Sequence, residues 1–133
     1  MSELLKLNKV NLTYQTGNDS TKVLKDIDLK TTKKETISFV GESGSGKTSL
    51  IMLIAGLEKV TSGQIYFQNQ EITKLSEDKV SEIRRKNIGI VFQSFYLIPN
   101  YTAVENVALT LELNKFNHAN WRFGKSNLWK NLL

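Results

Sequence analysis

The sequence predicts an α/β protein in which a glycine-rich loop joins a short apolar strand to a buried helix. Two further patterns support this fold class. Alternating apolar residues on either side of a polar stretch indicate an antiparallel pair of strands, and a charged helix is followed by another short apolar run. With 133 residues, of which 40% are hydrophobic, the chain is long enough for one ordinary domain.

The first elements in chain order are strands. Apolar residues alternate in LLKLNKVNLTY, with one slip that suggests a bulge, and alternate again in VLKDIDLK. The polar stretch between them, QTGNDSTK, predicts a loop. A third, short strand is predicted at residues 37–40. The helix KTSLIMLIAGL that follows the glycine-rich loop is expected to be buried and to end near Gly56.

Beyond this helix the sequence alternates between strands and polar helices. TSGQIYFQNQEI predicts a turn at Ser62 and Gly63 and then a strand. SEDKVSEIRRKN predicts a polar helix capped by Ser76, with acidic residues in its first turn and basic residues in its last. IGIVFQ predicts a short buried strand and SFYLIPNY a loop. Thr102 and Glu105 form a capping box that opens a further helix.

Composition and charge argue against several classes of protein. The chain has no cysteine for disulfides or thiolate metal sites, no apolar run near the ~20 residues of a membrane span, and no signal-peptide pattern at its start. Four of its 18 Lys and Arg residues, and none of its 13 Asp and Glu residues, lie in 114–133. Most of the net charge of +5 therefore comes from that segment, and no nucleic acid partner is expected.

The stretch VGESGSGKT carries the main chemical signal. It satisfies the phosphate-binding pattern Gly41-x4-Gly46-Lys47-Thr48, with a predicted strand before it and a helix after it. Glycines let consecutive N–H groups turn inward around an anion, and the helix adds its unpaired N-terminal amides. Lys47 would contact the β- and γ-phosphates and Thr48 would bind Mg²⁺. The alternative is a Gly/Ser-rich turn with a solvated lysine.

Four stretches in order resemble the ATP-binding subunit of ABC transporters, most closely the lipoprotein-releasing and macrolide-export type. They are VNLTY, VLKDIDL, GESGSGKTSLIMLIAGLEKVTSGQIYF and IGIVFQSFYLIPNYTAVENV, and the resemblance covers about residues 4–113. The resemblance implies the N-terminal part of a three-layer P-loop NTPase core with an antiparallel β subdomain, incomplete at the C-terminus. One departure is Thr61, which stands where the family often has proline.

The resemblance also implies a site for ATP and Mg²⁺. Tyr14 takes the position of an aromatic residue that stacks on adenine, and Gln93 that of a glutamine that contacts Mg²⁺ and water. From the pattern alone, packing and a solvated strand end are the commoner roles for such residues. Thr48 would be the other metal ligand, and the Glu42 side chain is expected to be solvated or paired locally. The nucleotide contacts besides Tyr14 and Gln93 are expected from Gly41, Glu42, Ser43, Gly44, Ser45, Gly46, Lys47, Thr48 and Ser49.

Three parts of the family's hydrolytic machinery are not found in this sequence. The last aspartate, Asp78, lies in a polar helix, so no strand ends in a metal-binding Asp followed by a catalytic Glu. The eight glycines include no adjacent pair, which excludes the Leu-Ser-Gly-Gly-Gln signature loop. His118 has no late strand before it and is expected at the surface. Gln93 alone remains of the catalytic set, so enzymatic activity is left open.

Because these parts are absent, the chain is interpreted as two segments. Residues 1–113 are interpreted as the N-terminal part of an ABC ATPase nucleotide-binding domain. Residues 114–133, which hold both tryptophans and five asparagines, are interpreted as a divergent basic tail that is either frameshifted sequence or a divergent end. A partial domain with an unpaired apolar strand is expected to be marginally stable and to bind ATP weakly.

The favoured function is the ATP-binding component of an ABC-type export or lipoprotein-release transporter. This chain keeps the ATP-binding half and is not expected to hydrolyse ATP alone. A cytoplasmic location on the inner face of the membrane is expected, with a membrane permease subunit and a second nucleotide-binding subunit as partners. The permease would dock near residues 95–101. The alternative is a non-catalytic nucleotide-binding fragment or pseudogene product without a transport role. A P-loop kinase or GTPase is not supported, because no base-reading Asn-Lys-x-Asp pattern occurs.

Overall fold

The computed structural model describes residues 3–113 of the chain. The chain divides into two compact units, Met1–Gly89 and Ile90–Leu133, each of which is described by itself. The predicted tail at 114–133, including His118, lies outside the described residues. No helix within the described residues is long and apolar enough to cross a bilayer.

A four-stranded antiparallel sheet forms the first unit. Its strands β1 (Glu3–Thr16), β2 (Asp19–Thr32), β3 (Ser62–Phe67) and β4 (Gln70–Glu71) lie in the order β2-β1-β3-β4. The predicted antiparallel pair is confirmed as β1 and β2. The loop predicted over QTGNDSTK is wrong, because the strands extend through it and leave a two-residue turn. Gly17 in that turn has a φ of 62°, which suits the tight hairpin turns.

The predicted slip in the first strand is confirmed as an irregular, bulged region of β1. The β1–β2 register shifts between Leu7 and Val10, and Lys9 has a φ of 48°. Gly63 of β3 lies directly against this region, where an added Cβ would come within 2.3 Å of the Lys9 carbonyl oxygen. The turn predicted at Ser62 and Gly63 is therefore wrong. Both residues belong to β3, and the glycine serves a close backbone approach.

The helix after the glycine-rich loop, α1 (Lys47–Ile54), covers one face of the sheet. It ends at Ala55, and Gly56 follows with a φ of 67°. The predicted end is confirmed, but burial is one-sided, since Ile51 is 46% exposed. The apolar core that α1 and the sheet share consists of Leu5, Leu7, Val10, Leu12, Leu24, Leu50, Leu53, Ile65 and Ile72.

The predicted polar helix is confirmed as α2 (Glu77–Asn87), which closes the first unit. Acidic residues occupy its first turn and basic residues its last, which suits the helix dipole. Ser76 is the N-cap residue but makes no side-chain capping bond. The Arg84 guanidinium donates to the Gly56 carbonyl and, at 2.9 Å, to Ser81 Oγ. The bond from Arg84 to Gly56 ties α2 to the segment that follows α1.

Two predicted strands are wrong. Residues 37–40 and the apolar run at 88–92 make no strand pairing with any described part of the chain. Val40 is 92% exposed and Val91 is 100% exposed. A strand is completed by hydrogen bonds to a neighbouring strand. The antiparallel layer and the helices are thus formed among the described residues, whereas these two segments are not paired as strands.

The second unit contains α3 (Ala103–Leu113) and the loop before it. The predicted capping box is confirmed: the Thr102 amide donates to the Glu105 carboxylate at 2.7 Å, and the Glu105 amide donates to Thr102 Oγ1 at 3.3 Å. Asn106 Oδ1 accepts from the Ile98 amide at 2.8 Å, which holds the loop against the helix start.

Candidate functional site

The glycine-rich loop leads into the N-terminus of α1. Gly44 and Gly46 have φ values of 81° and 88°, in the left-handed region that favours glycine. Gly46 is the N-cap residue and its carbonyl accepts from the Leu50 amide at 2.9 Å. The amides of Lys47, Thr48 and Ser49 have no acceptor among the described residues. Such unpaired amides at the positive end of a helix favour an anion.

The Lys47 side chain closes this loop. Its ammonium donates to the Gly41 carbonyl at 2.8 Å, to the Glu42 carbonyl, and to Ser45 Oγ at 3.2 Å. The ammonium is thereby bonded to the loop itself. The Glu42 side chain is exposed, as its predicted solvated role requires, and its carbonyl contributes to the ammonium's position.

The loop is packed against β2 through Gly46. An added Cβ there would lie 3.0 Å from Leu24 Cδ2 and 3.1 Å from the Val23 carbonyl oxygen. Gly46 therefore has two requirements, one for its backbone angles and one for its close contact with β2. The first follows from the predicted pattern, whereas the second depends on a strand more than 20 residues away.

An open cavity of about 480 Å³ lies beside the loop. One wall is apolar and comes from β2, and the rest comes from the loop and its flanks. Its lining residues are Leu24, Ile27, Ser38, Phe39, Val40, Gly41, Ser45, Gly46, Lys47 and Leu50.

The donors of the loop and of the helix start can bind phosphate oxygens. They are the three unpaired amides and the Lys47 ammonium, which offer positive charge and hydrogen bonds. Of the three residues with these amides, Lys47 alone also lines the cavity. Thr48 is exposed in the first turn of α1, and its hydroxyl makes no hydrogen bond within the described residues. No group of three or more His, Cys, Asp or Glu side chains there could hold a metal by itself.

Tyr14 lies near the end of β1. It is 39% exposed, and its hydroxyl donates to Glu58 Oε2 at 3.3 Å. It does not line the cavity beside the loop. It stands two residues, roughly 7 Å along an ideal strand, beyond Leu12. Leu12 in turn pairs with Leu24, against which the loop packs.

The remaining predicted residues are placed as follows. Ser43 and Ser45 are exposed in the loop, and Ser49 is half-buried in α1. Gln93 is exposed and belongs to the second unit, so its assignment as a metal ligand stays a prediction. Glu58 and Thr61, which bond to β1 around Tyr14, were not predicted as site residues; the only sequence signal was that Thr61 replaces a common proline.

Comparison with known proteins identifies the family. The ABC transporter family model matches residues 24–133. The lipoprotein-releasing system ATP-binding protein LolD of Idiomarina loihiensis is 42% identical over 106 residues, which are 80% of this chain and 46% of that protein. The uncharacterized ABC transporter ATP-binding protein MJ0796 of Methanocaldococcus jannaschii is 42% identical over 108 residues, 81% of this chain and 46% of that protein.

Two solved structures of MJ0796 have the same fold. Its dimeric structure superposes with a TM-score of 0.81 at 39% identity, over 86% of this chain and 49% of that one. Its dimeric post-hydrolysis state, bound to ADP and Pi, gives a TM-score of 0.80 at 39% identity with the same coverage. The chain spans about half the length of the curated relatives it matches. The loop, the fold and the family match agree, and the chain belongs to the ABC transporter family, as part of its ATP-binding domain.

Proposed function

We propose that this chain binds ATP with Mg²⁺ as part of the ATPase of a lipoprotein-releasing type of ABC transporter. The observation that carries the proposal is the loop at 41–48, which joins the Lys47 ammonium to the unpaired amides at the start of α1. The relatives named LolD, at about 40% identity, favour the lipoprotein-releasing type over other transport classes.

In this proposal the loop residues bind and orient the triphosphate. The amides that begin α1 donate hydrogen bonds to phosphate oxygens. The Lys47 ammonium exchanges its carbonyl acceptors on Gly41 and Glu42 for phosphate oxygens, a gain because bonds between two charged groups are stronger. Thr48, with Gln93 as the second ligand, would hold Mg²⁺, which neutralises charge on the phosphates when bound. Tyr14 would stack on the base.

We further propose that the 133-residue chain does not hydrolyse ATP alone. Cleavage requires a carboxylate that positions the metal and a water molecule. The last aspartate of the sequence, Asp78, lies in the first turn of α2 and not at the end of a strand. The alternative, a non-catalytic nucleotide-binding fragment or pseudogene product, shares this property and differs only in having no transport role.

The partners proposed are a membrane permease and a second nucleotide-binding subunit, at the cytoplasmic face of the membrane. The relative MJ0796 is dimeric in its solved structures, which supports the second partner. The loop before α3 supports the first, because it exposes several large apolar side chains: Phe92, Phe95, Tyr96, Leu97 and Tyr101. Residues 1–113 are proposed as the cassette part and 114–133 as a distinct tail.

Equilibrium binding of a fluorescent ATP analogue, at several Mg²⁺ concentrations, tests the binding proposal. Lys47→Ala should weaken binding by about tenfold or more, because it removes the loop's charged hydrogen bonds to phosphate. Lys25→Ala, which removes an exposed lysine of β2, is the matched control and should bind like the wild type. Equal affinity of wild type and Lys47→Ala would contradict the proposal.

Phosphate release tests the second part. The purified chain should release no phosphate from ATP over many binding lifetimes, and adding it to an intact homologous ATPase should inhibit that enzyme rather than stimulate it. Multiple-turnover hydrolysis by the purified chain, abolished by Lys47→Ala, would show that a carboxylate elsewhere in these residues serves the metal.

A further inference from the structure

The segment at 58–61, between α1 and β3, is bonded to the end of β1. The Thr61 amide donates to the Asn11 carbonyl at 2.9 Å. Thr61 Oγ1 accepts from the Thr13 amide at 2.8 Å and donates to the Thr13 carbonyl at 3.4 Å. One threonine thus makes three hydrogen bonds to the two β1 residues that precede Tyr14 by one and three positions.

A second contact joins the same segment to the tyrosine itself. Glu58 Oε2 accepts from the Tyr14 hydroxyl at 3.3 Å, while Glu58 Oε1 accepts from the Lys59 amide at 3.1 Å. One carboxylate oxygen is therefore held by the amide of the next residue, and the other oxygen holds the tyrosine hydroxyl. Since Thr61 fixes the backbone and Glu58 the hydroxyl, both ends of the Tyr14 side chain are restrained.

The bonds made by Thr61 depend on its being threonine. Proline, for example, has neither an N–H nor a hydroxyl. A proline here could make none of the three bonds to Asn11 and Thr13. The restraint on β1 next to Tyr14 is accordingly a property of this chain's own residues at 58 and 61.

We propose that Glu58 and Thr61 are positioning residues that orient the Tyr14 ring for stacking on the nucleotide base. This inference rests on the proposed function, in which the loop at 41–48 binds the phosphates. The ring is 39% exposed and stands about two strand residues beyond the point where the loop packs on the sheet. An exposed ring that is fixed in direction loses less freedom on stacking than one that rotates.

The test compares the affinities of the full chain for ATP and for inorganic tripolyphosphate, both measured by calorimetry. Both ligands have three phosphates but only ATP has a base, so the comparison separates base contacts from phosphate contacts. Tyr14→Phe keeps the ring but loses the bond to Glu58, and Glu58→Ala loses the same bond from the other side. Each should weaken ATP binding by about two- to tenfold, the range for one hydrogen bond, and leave tripolyphosphate binding unchanged. The double variant should be no weaker than either single variant. Thr61→Val and Thr61→Pro should act in the same direction.

Controls keep the outcomes distinct. Glu82→Ala removes an exposed carboxylate of α2 and should change neither affinity. Lys47→Ala should weaken both ligands; if it weakens neither, the proposed function fails and this inference with it. If Lys47→Ala weakens both ligands but Tyr14→Phe, Glu58→Ala and Thr61→Val leave ATP affinity unchanged, the positioning role alone is overturned. Equal losses for ATP and tripolyphosphate in those variants would also overturn it, because they would indicate a general structural effect.

Discussion

Single glycines show where backbone and packing constraints coincide. Gly63 has a φ of 94° and lies against the bulged region of β1, whereas Gly17 has a φ of 62° and faces open space. Both positions disfavour a side chain through their backbone angles, by about 1–2 kcal/mol. Only Gly63 adds a steric conflict, because its Cβ would meet the backbone of Lys9 and Val10.

We therefore expect Gly63→Ala to lower the free energy of unfolding by about 2–4 kcal/mol, since overpacking adds to the backbone strain. Gly17→Ala is the matched control and should cost about 1–2 kcal/mol. Urea denaturation of the three proteins measures both values. Similar losses in the two variants would show that the contact with β1 relaxes freely.

Some features of the candidate site depend on residues that are adjacent in the sequence, and others depend on residues that are far apart in it. The loop at 41–48 could be predicted because its glycines, lysine and helix start are adjacent in sequence. The bonds from Glu58 to Tyr14 and from Thr61 to Thr13 join residues 44 and 48 positions apart, so no local pattern could reveal them. The contact of Gly46 with Leu24 was likewise beyond a sequence pattern.

At the scale of helices and strands, the predictions that depend on nearby residues were correct and those that depend on a distant partner were wrong. The capping box of α3 and the charge order of α2 were predicted because each depends on residues within one or two turns. The strands at 37–40 and 88–92 were predicted wrongly, because apolar composition favours a strand but a neighbouring strand must complete it. None of the described strands pairs with either segment.

The helix caps give a direct test of this difference. Thr102→Ala should destabilise α3 by about 1 kcal/mol, because it removes a side-chain bond to the helix start. Ser76→Ala at α2 should cost less than about 0.5 kcal/mol, since Ser76 makes no such bond. Amide hydrogen exchange in the first turn of each helix measures the two effects. Equal protection losses would contradict the assigned capping geometry.

The bulged region of β1 is linked to β2 by charge, and this link predicts a pH dependence. Asp28 accepts from the Lys9 side chain at 2.8 Å and from the Lys9 amide at 2.9 Å. The side-chain bond is the main cause that lowers the pKa of Asp28 from its usual value of 3.8 and raises that of Lys9 from 10.5. Because the pKa of Asp28 is lower in the folded state, its contribution is present above pH 3.8 and is lost as the pH falls through the folded value.

Asp28→Asn should therefore flatten the acid side of the stability curve below about pH 4, relative to the wild type. Asp19→Asn removes an exposed carboxylate at the start of β2 and is the control for the loss of one negative charge. Thermal melts across the acid range measure both variants, and an unchanged acid limb in Asp28→Asn would contradict the role of this pair.

For the molecule as a whole, apolar surface is the notable feature. Val40 and Val91 are almost fully exposed, while Val10 is fully buried in the core. Extended, exposed apolar segments can pair with other chains. The stability of the chain should then depend on the sheet–α1 core, and its tendency to associate on the exposed segments.

Val91→Lys should leave the thermal midpoint within about 2 °C of the wild type and reduce aggregation, because the side chain already faces solvent. Val10→Ala should lower the free energy of unfolding by about 1–3 kcal/mol, because it leaves a cavity in the core. Light scattering and thermal melts measure the two properties. A large drop in midpoint for Val91→Lys would show that this residue is buried in solution.

Amide chemical shifts, recorded by NMR while ATP and Mg²⁺ are titrated into the 133-residue chain, test the central claim most directly. The largest shifts are expected at the amides of Gly46, Lys47 and Thr48. The same amides should respond to tripolyphosphate, and in Lys47→Ala they should respond only at ATP concentrations about tenfold higher or more. Shifts confined to other parts of the sheet, or no shifts at saturating ATP, would contradict a phosphate-binding role for this loop.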